Sequence, residues 1–248
     1  MRLKKLADET RVFMNPHNYK VMLESAVNQE AALAMATMAR VGCQIGELDF
    51  GPKDIRESSH PNVDLLFVTI HDNADDGDTD GEQRDAWMPH DLYEDLEEHR
   101  QSEGYSEETG YFEKSKRTMS RYINKSTENA VRRTGNEDYQ YVTAHDFRAY
   151  FATNMVLREG VDEEIVMKLG GWNSREALDP YLNTSFDDLI QAELVEADVI
   201  EEDTDDTSEL IKQLCSEFGK LHKAVGQIDP TVSVPEPSDD VQAVFDDF

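Results

Sequence analysis

The chain has 248 residues and a formal net charge of −29, because 53 acidic side chains outnumber 24 basic ones, and only 38% of its residues are hydrophobic. No run of about 18 apolar residues occurs, which excludes a membrane-spanning helix, and the first residues lack the apolar stretch of a secretion signal. Cys43 and Cys215 lie far apart, so a disulfide scaffold and a cysteine zinc cluster are excluded and a reducing cytoplasm is expected.

Two helices are expected between residues 15 and 49. Asn15 is suited to cap the first helix, because the following Pro16 fits the first helical position. In the second helix, apolar residues recur around most of the surface up to Gly42, which ends it. That pattern predicts a buried helix.

A small antiparallel sheet of about three strands is predicted near residues 48–88. The apolar run VDLLFVTI at 63–70 is typical of a strand, and RDAWMP at 84–89 is typical of the strand that returns beside it. A long acidic turn between the two completes a hairpin, and Pro89 opens a further helix.

Residues 114–133 are expected to form a basic helix in an otherwise acidic chain. The segment holds one acidic residue, Glu128, and seven basic residues: Lys114, Lys116, Arg117, Arg121, Lys125, Arg132 and Arg133. In an ordinary protein, a solvated helix face would explain such a run. In a chain with this net charge, we favour contact with phosphate groups.

The helices that follow hold the residues of chemical interest. Residues 144–158 are strongly apolar, which indicates a buried helix, and Gly160 ends it. A short helix extends to about Gly171, and another contains Pro180 and Tyr181. Together with the sheet, these helices predict a mainly α-helical protein of the α+β class.

Residues 191–248 are expected to be an acidic carboxy-terminal extension of a domain formed by residues 1–190. Apolar residues at helical spacing predict one amphipathic helix at about 208–227. The last 20 residues, with three prolines, are expected to be disordered.

The acidic charge has two competing explanations, an acidic tail or adaptation to high salt. Residues 191–248 hold 16 acidic and 3 basic side chains, whereas residues 1–190 hold 37 and 21, so the excess is spread along the chain. We therefore favour adaptation to high salt, where charges are screened within about 3 Å at 1 M. In that setting the net charge does not exclude a DNA partner, and local charge is the better guide.

Four residues form a pattern that suits phosphate chemistry. His145 and Arg148 are three residues apart and share a helix face. The planar guanidinium fits a phosphate, and the imidazole can donate to the same phosphate or move a proton. Trp172 offers an indole N–H donor, and Tyr181 offers a hydroxyl that can act as a nucleophile. Each of these residues alone is more typical of a structural role.

The order and spacing of these residues resemble the tyrosine recombinase, or phage-type integrase, family. TAHDFRAYFAT at 143–153, LGGW at 169–172 and then Tyr181 follow the catalytic motifs of that family. Supporting matches are NPHNYKVML, GCQIGEL and RDAWMP. The resemblance covers about residues 12–186 and implies the fold of the family's catalytic core. It begins too early in the chain for an amino-terminal DNA-clamping domain, so none is expected.

By this resemblance the chain would recombine DNA at specific sites, by integration or excision, without a metal or other cofactor. Tyr181 would form a 3′-phosphotyrosyl link, while His145, Arg148 and Trp172 would hold the phosphate oxygens. The implied partner is double-stranded DNA, bound by a tetramer of this chain. The expected source is a mobile genetic element or virus of a halophile.

Two catalytic positions of the family differ in this chain. The family's first catalytic arginine aligns with Gln44, which is neutral, although Glu47 matches the acidic residue that supports that site. The family's hairpin lysine has no counterpart, since no lysine lies between Lys53 and Lys114. Arg84 is the only base near the hairpin exit and is expected, like the basic residues of 114–133, to contact DNA. By analogy with arginine fingers, loss of such an arginine costs about 10³–10⁵-fold in rate.

These departures leave three hypotheses open. The first is a working recombinase in which Arg84 or another base compensates for Gln44. The second is a recombinase-derived, catalytically impaired DNA-binding regulator or accessory factor. The third, an acidic interaction protein or DNA mimic without DNA contact, is disfavoured by the basic run at 114–133.

Overall fold

A computed structural model describes a large part of the chain, with side chains from residue 12 onwards: residues 2–6, 9–60, 62–71, 83–108 and 110–182. The predicted amphipathic helix at about 208–227, the predicted tail and the domain boundary at about 190 lie outside these residues and stay predictions. Within the described ranges, no helix is both long and apolar enough to cross a membrane.

The described part is mainly α-helical with small antiparallel sheets, as the sequence predicts. Its strands are β1 (Arg2–Leu6), β2 (Glu9–Phe13), β3 (Ile55–Glu57), β4 (Leu66–Ile70) and β5 (Arg84–Met88). Its α-helices are α1 (Pro16–Glu24), α2 (Gln29–Val41), α3 (His90–Glu103), α4 (Lys116–Thr134), α5 (Ala144–Thr153), α6 (Glu163–Gly170) and α7 (Arg175–Leu182). Short 3₁₀ helices lie at Ile45–Glu47, Pro52–Asp54 and Glu137–Tyr141.

Helix α2 lies at the centre of the core and contacts α1, α3, α4 and α5. The Asn28 side chain caps its first turn by accepting from the Ala31 N–H at 2.8 Å. Gly42 ends it with a φ of 80°, a left-handed conformation that favours glycine. Nearly every residue of α2 is buried, which confirms the prediction made from its apolar surface.

Strands β3, β4 and β5 form an antiparallel sheet in that order, which confirms the predicted three strands. Val68 of β4 lies opposite Ile55 on one side and Ala86 on the other. Alternate residues of β4 face the core. Strand β5 contacts α2 and α6, and this packing brings Arg84, at its start, against the end of α6.

The sequence did not predict the hairpin formed by β1 and β2. The two strands are antiparallel, with Leu3 opposite Val12. Val12 is fully buried, and its N–H donates to Oδ1 of Asp146 on α5 at 3.1 Å. The end of β2 is therefore attached to the helix that carries His145 and Arg148.

Helix α5 is shorter than the predicted helix at 144–158, because a π-helical turn at Asn154–Arg158 replaces its last part. Asp146 caps the start of α5, since its Oδ2 accepts from the Thr143 N–H at 2.7 Å and from the Thr143 hydroxyl at 2.8 Å. The beginning of the helix is thus fixed by local bonds and by the bond to Val12. π-Helical turns are frequent at functional sites.

Candidate active site

His145 and Arg148 lie one turn apart on α5, as their spacing predicts. Arg148 is only 2% exposed. Because α5 packs against α2, the Arg148 guanidinium reaches the end of α2, where Nη1 donates to the Gly42 carbonyl oxygen at 3.2 Å. His145 is partly buried, and its Nε2 is directed at α7.

Tyr181 on α7 joins His145 although 36 residues separate them in the sequence. The Tyr181 hydroxyl lies 2.8 Å from His145 Nε2, which is hydrogen-bonding distance. The Thr153 hydroxyl at the end of α5 donates to the Tyr181 carbonyl oxygen at 3.4 Å, so the backbone of α7 is also bonded to α5. Tyr181 is 3% exposed, so it lies inside the cluster of His145, Arg148, Trp172 and Tyr181, which is called the pocket below.

Trp172 forms one wall of the pocket. Its ring lies 4.5 Å from Arg148 Cζ, a cation–π arrangement, and 5.6 Å from the Tyr181 ring. It stacks on Phe151 with a centroid separation of 6.3 Å. A Cβ atom on Gly170 would lie 2.0 Å from the Trp172 ring, so only glycine fits there. The Gly-Gly-Trp motif is therefore a packing requirement of this wall.

Arg148 is a buried cation with an unused donor. Its Nη1 lies 3.7 Å from Oε2 of the buried Glu47, whereas its buried Nη2 has no hydrogen-bond partner among the described residues. Burial lowers the pKa of Arg148 from its ordinary value, and the nearby Glu47 carboxylate opposes that change. Because a guanidinium stays protonated in proteins, the free N–H groups of Nη2 are suited to an oxyanion.

Glu47 connects Arg148 to a second guanidinium, that of Arg84. Arg84 Nη1 and Nη2 donate to the two Glu47 oxygens at 2.5 and 2.8 Å, and Arg84 Nε donates to the Leu169 carbonyl oxygen at 3.2 Å. Gln44 contributes its backbone N–H, which donates to Glu47 Oε2 at 2.6 Å. Arg84 therefore lies beside the pocket, at the same Glu47 carboxylate as Gln44, the residue aligned with the family's first catalytic arginine.

Seven of the eight basic residues predicted to bind DNA lie in or next to α4 and are exposed, whereas the eighth, Arg84, is partly buried against Glu47. Lys116 lies close to the pocket. Its Nζ is 3.6 Å from the position that a Cβ atom on Gly46 would occupy, and Gly46 is two residues from Gln44. At the other end of α4, Arg133 pairs with Glu24 of α1 at 2.5 Å. The basic helix thus begins beside the pocket and leads away from it.

Cys43 is the other nucleophilic side chain near the pocket, but it is chemically inert. Burial, together with the charge of Glu47, raises the pKa of its thiol to about 12, so thiolate is nearly absent at neutral pH. In the part of the chain that the structure covers, no cluster of His, Cys, Asp and Glu is arranged to ligate a metal ion. The Tyr181 hydroxyl, in contrast, lies within hydrogen-bonding distance of an imidazole, that of His145.

Sequence reasoning identified the side chains of the pocket but not the groups that hold them. The carbonyl oxygens of Gly42 and Leu169 give no sequence signal, because every residue has one. No sequence pattern predicted the contact of Phe151 with Trp172. The pair Gly170–Gly171 is a sign of close backbone packing, and Gly170 does lie against the Trp172 ring.

Comparison with known proteins relates part of the chain to one family. Residues 83–187, less than half of the chain, match the model of the phage integrase family. Similar solved structures are XerA recombinase (20% identity, TM-score 0.56), the XerH site-specific recombinase in a post-cleavage complex with a palindromic difH substrate (16%, 0.54) and a lambda integrase dimer bound to a core site (15%, 0.50). No curated protein sequence matches the chain.

The match identifies residues 83–187 as similar to the phage integrase family, and the fold of the described part is that of the catalytic core of tyrosine recombinases. The alignments cover 75%, 75% and 72% of this chain but only 65%, 53% and 49% of the three structures. The chain therefore spans less than two thirds of the length of these proteins.

Proposed function

We propose that the chain catalyses site-specific DNA recombination, by integration or excision, through a 3′-phosphotyrosyl intermediate on Tyr181. The observation that carries this proposal is the 2.8 Å contact between the Tyr181 hydroxyl and His145 Nε2, beside the buried guanidinium of Arg148. A nucleophile, a proton acceptor and an oxyanion-binding cation thereby meet in one pocket.

In the proposed reaction, Tyr181 Oη attacks a backbone phosphorus atom. Neutral His145 with its proton on Nδ1 accepts the phenolic proton at Nε2. The bond between phosphorus and the 5′ oxygen breaks, and that oxygen leaves as a hydroxyl after taking up a proton from water, while His145 returns its added proton to water. The phosphodiester energy is kept in the phosphotyrosyl link, so the reverse attack by a 5′-hydroxyl rejoins the strand without a cofactor.

Arg148 and Trp172 would stabilise the charge that develops on the phosphate. The unpartnered Nη2 of Arg148 supplies donors for one nonbridging oxygen. Trp172 supplies an indole N–H, and its ring holds the guanidinium in place from 4.5 Å. Because these groups are fixed by packing before the phosphate arrives, little reorganisation is needed during the reaction.

The exposed face of α4 would guide the DNA backbone to the pocket. Lys116 lies at the pocket, and the other basic side chains continue along the surface of the helix. A net charge of −29 would repel DNA at low ionic strength, so we further propose that the protein works in concentrated salt, as in a halophile, where repulsion from distant carboxylates is screened.

Recombination of two duplexes requires four cuts, and each chain has one Tyr181. We therefore propose that four copies act together on DNA. Among similar structures, XerH is bound to a palindromic difH substrate, a lambda integrase dimer to a core site and the Tn1549 integrase to transposon right end DNA, which supports a DNA partner for this fold.

A specific observation also favours a second function, that of a catalytically impaired DNA-binding regulator. Gln44 is neutral where the family has an arginine, and the sequence between Lys53 and Lys114 holds no lysine. The two functions share the DNA surface and differ in whether Tyr181 forms a covalent link.

Trapping of a covalent adduct separates these functions. The full chain is incubated in molar KCl with randomly nicked genomic duplexes, in which a small 5′-hydroxyl fragment can diffuse away after cleavage, and adducts are detected on a denaturing gel. We expect an adduct with the wild type and none with Tyr181→Phe. Tyr141→Phe is the matched control, because Tyr141 is 42% exposed and lies outside the pocket.

DNA binding without any adduct, in a folded wild-type protein, would support the regulator and overturn the recombinase. Absence of both binding and adduct across a salt series would overturn the DNA functions altogether.

A further inference from the structure

Glu47 creates an electrostatic problem for a phosphate-binding pocket. Its carboxylate is 3% exposed and lies 3.7 Å from Arg148 Nη1, so these two buried groups cancel in charge. A carboxylate at that place would repel a phosphate unless a second cation compensated for it. The side chain of Gln44, next to Glu47, carries no charge.

Arg84 supplies that second cation from a different part of the chain. It extends from the start of β5, and its guanidinium binds both oxygens of Glu47 in a bidentate pair. The two arginines thus flank one carboxylate, since Arg84 Nη2 and Arg148 Nη1 lie 2.8 and 3.7 Å from the same Oε2. The cluster then has a net positive charge.

Arg84 also keeps donors for a ligand. A guanidinium has five N–H groups, of which Glu47 takes two and the Leu169 carbonyl takes one. The other two have no acceptor within the described ranges. Because the Arg84 side chain is only 10% exposed, packing against the protein fixes the direction of these two N–H groups.

The backbone after α6 is shaped around Arg84. Gly171 has a φ of 75°, and a Cβ atom there would lie 2.8 Å from Arg84 Cδ and 2.9 Å from Nε. Glycine therefore serves both the left-handed turn and the close approach of the arginine. The next residue is Trp172, so the same turn positions Arg84 and the wall that supports Arg148.

We propose that Arg84 is a catalytic residue, which binds a second nonbridging oxygen of the scissile phosphate and replaces the guanidinium that Gln44 does not supply. Glu47 is the positioning residue that holds Arg84 and Arg148 at a fixed separation. This inference rests on the proposed function and adds the residue that makes the pocket cationic.

The test combines removal of Arg84 with relocation of its charge, in the full chain. The variants are Arg84→Gln, Arg84→Lys and the double variant Arg84→Gln with Gln44→Arg. Two quantities are measured: the single-turnover rate of adduct formation on nicked DNA, and the Kd for orthovanadate, a tetrahedral oxyanion, without DNA. Arg56→Gln is the control, because Arg56 lies on the neighbouring sheet surface in an exposed pair with Asp85.

We expect Arg84→Gln to slow adduct formation by about 10³-fold or more and to weaken vanadate binding by about 10- to 100-fold. Arg84→Lys should keep the fold and part of the vanadate affinity but lose most of the rate, because an ammonium lacks the planar fork. The double variant should recover most of both losses, which a purely structural pair would not do. Arg56→Gln should leave both quantities unchanged.

Unchanged rate and unchanged vanadate affinity in folded Arg84→Gln or Arg84→Lys would overturn the role of Arg84 and leave the recombinase intact. A folded double variant without recovery would overturn the replacement of the missing guanidinium. If the wild type forms no adduct, the proposed function fails instead, and the vanadate series still decides whether Arg84 binds an oxyanion.

Discussion

The pocket around Arg148 and the exposed face of α4 both present positive charge, but under different physical conditions. In the pocket, the buried guanidinium of Arg148 and the partly buried guanidinium of Arg84 are held by Glu47, Trp172 and backbone carbonyls. On α4, flexible basic side chains lie in solvent, where salt screens them. The difference suggests a division of work: the pocket sets the rate of chemistry, and α4 sets the affinity for DNA.

The largest expected effect comes from replacing Arg148 by lysine. Arg148→Lys keeps one positive charge but loses the free Nη2 donors and the planar contact with Trp172. We expect the single-turnover rate of adduct formation to fall about 10³-fold or more, with DNA affinity nearly unchanged. The same change on α4, Arg121→Lys, should leave the rate at the wild-type value. Equal rates in these two variants would contradict the proposed division of work.

A change in the wall of the pocket should reduce stability. Gly170→Ala places a methyl group where the Trp172 ring lies, and we expect a loss of about 1–3 kcal/mol in the free energy of unfolding because the ring has to shift. Denaturant unfolding in molar KCl measures this loss. Gly46→Ala is the control, since its Cβ would meet only the flexible end of Lys116. A Gly170→Ala protein as stable as the control would show that the Trp172 ring can shift at little cost in free energy.

On α4, charge reversal should change affinity rather than rate. Lys116→Glu should weaken DNA binding about tenfold and reduce the slope of log K against log salt by about 1. Arg133→Glu should have a smaller effect, because Arg133 pairs with Glu24 at the far end of the helix. Fluorescence anisotropy over a KCl series provides both values. A larger effect at Arg133 would indicate a DNA path that does not start at the pocket.

The smallest effect is expected at Arg56, the exposed counterpart of Arg84 on the sheet. The hydrogen bond from Arg56 lowers the pKa of Asp85. This pair therefore contributes stability above the ordinary aspartate pKa of about 3.9, and the contribution is lost as pH falls through the lowered value. Because both side chains are largely exposed, Arg56→Gln should cost less than about 1 kcal/mol at pH 7 and nothing at the acid end. Thermal unfolding between pH 2 and 7 should show the Tm values of the wild type and Arg56→Gln becoming equal as the pH falls.

Much of the fold followed from local sequence patterns. The caps at Asn15 and Gly42, the apolar surface of α2 and the alternation in β4 are governed by contacts within a few residues. The hairpin of β1 and β2 was missed, and the bond that attaches its end to the core joins Val12 to Asp146, far along the chain. The end of α5 was placed too late, because an apolar run does not distinguish an α-helix from a π-helical turn.

The candidate site also has one part that the sequence predicts and one part that it does not. The shared face of His145 and Arg148 follows from the helical repeat, and the family resemblance supplied Trp172 and Tyr181. The position of Arg84 was not predictable from its neighbours, since a basic residue at the start of a strand is ordinarily solvated. Its burial against Glu47 appears only when β5 packs on α6.

By itself the sequence determined most of the helices, the strands of the three-stranded sheet, the one-turn spacing of His145 and Arg148, and the basic surface of α4. These properties depend on short-range periodicity and composition, which a linear chain contains in full. Only the tertiary structure decided that Tyr181 meets His145 and that Arg84 and Arg148 share Glu47, because such contacts join segments whose approach is set by the packing of the whole core.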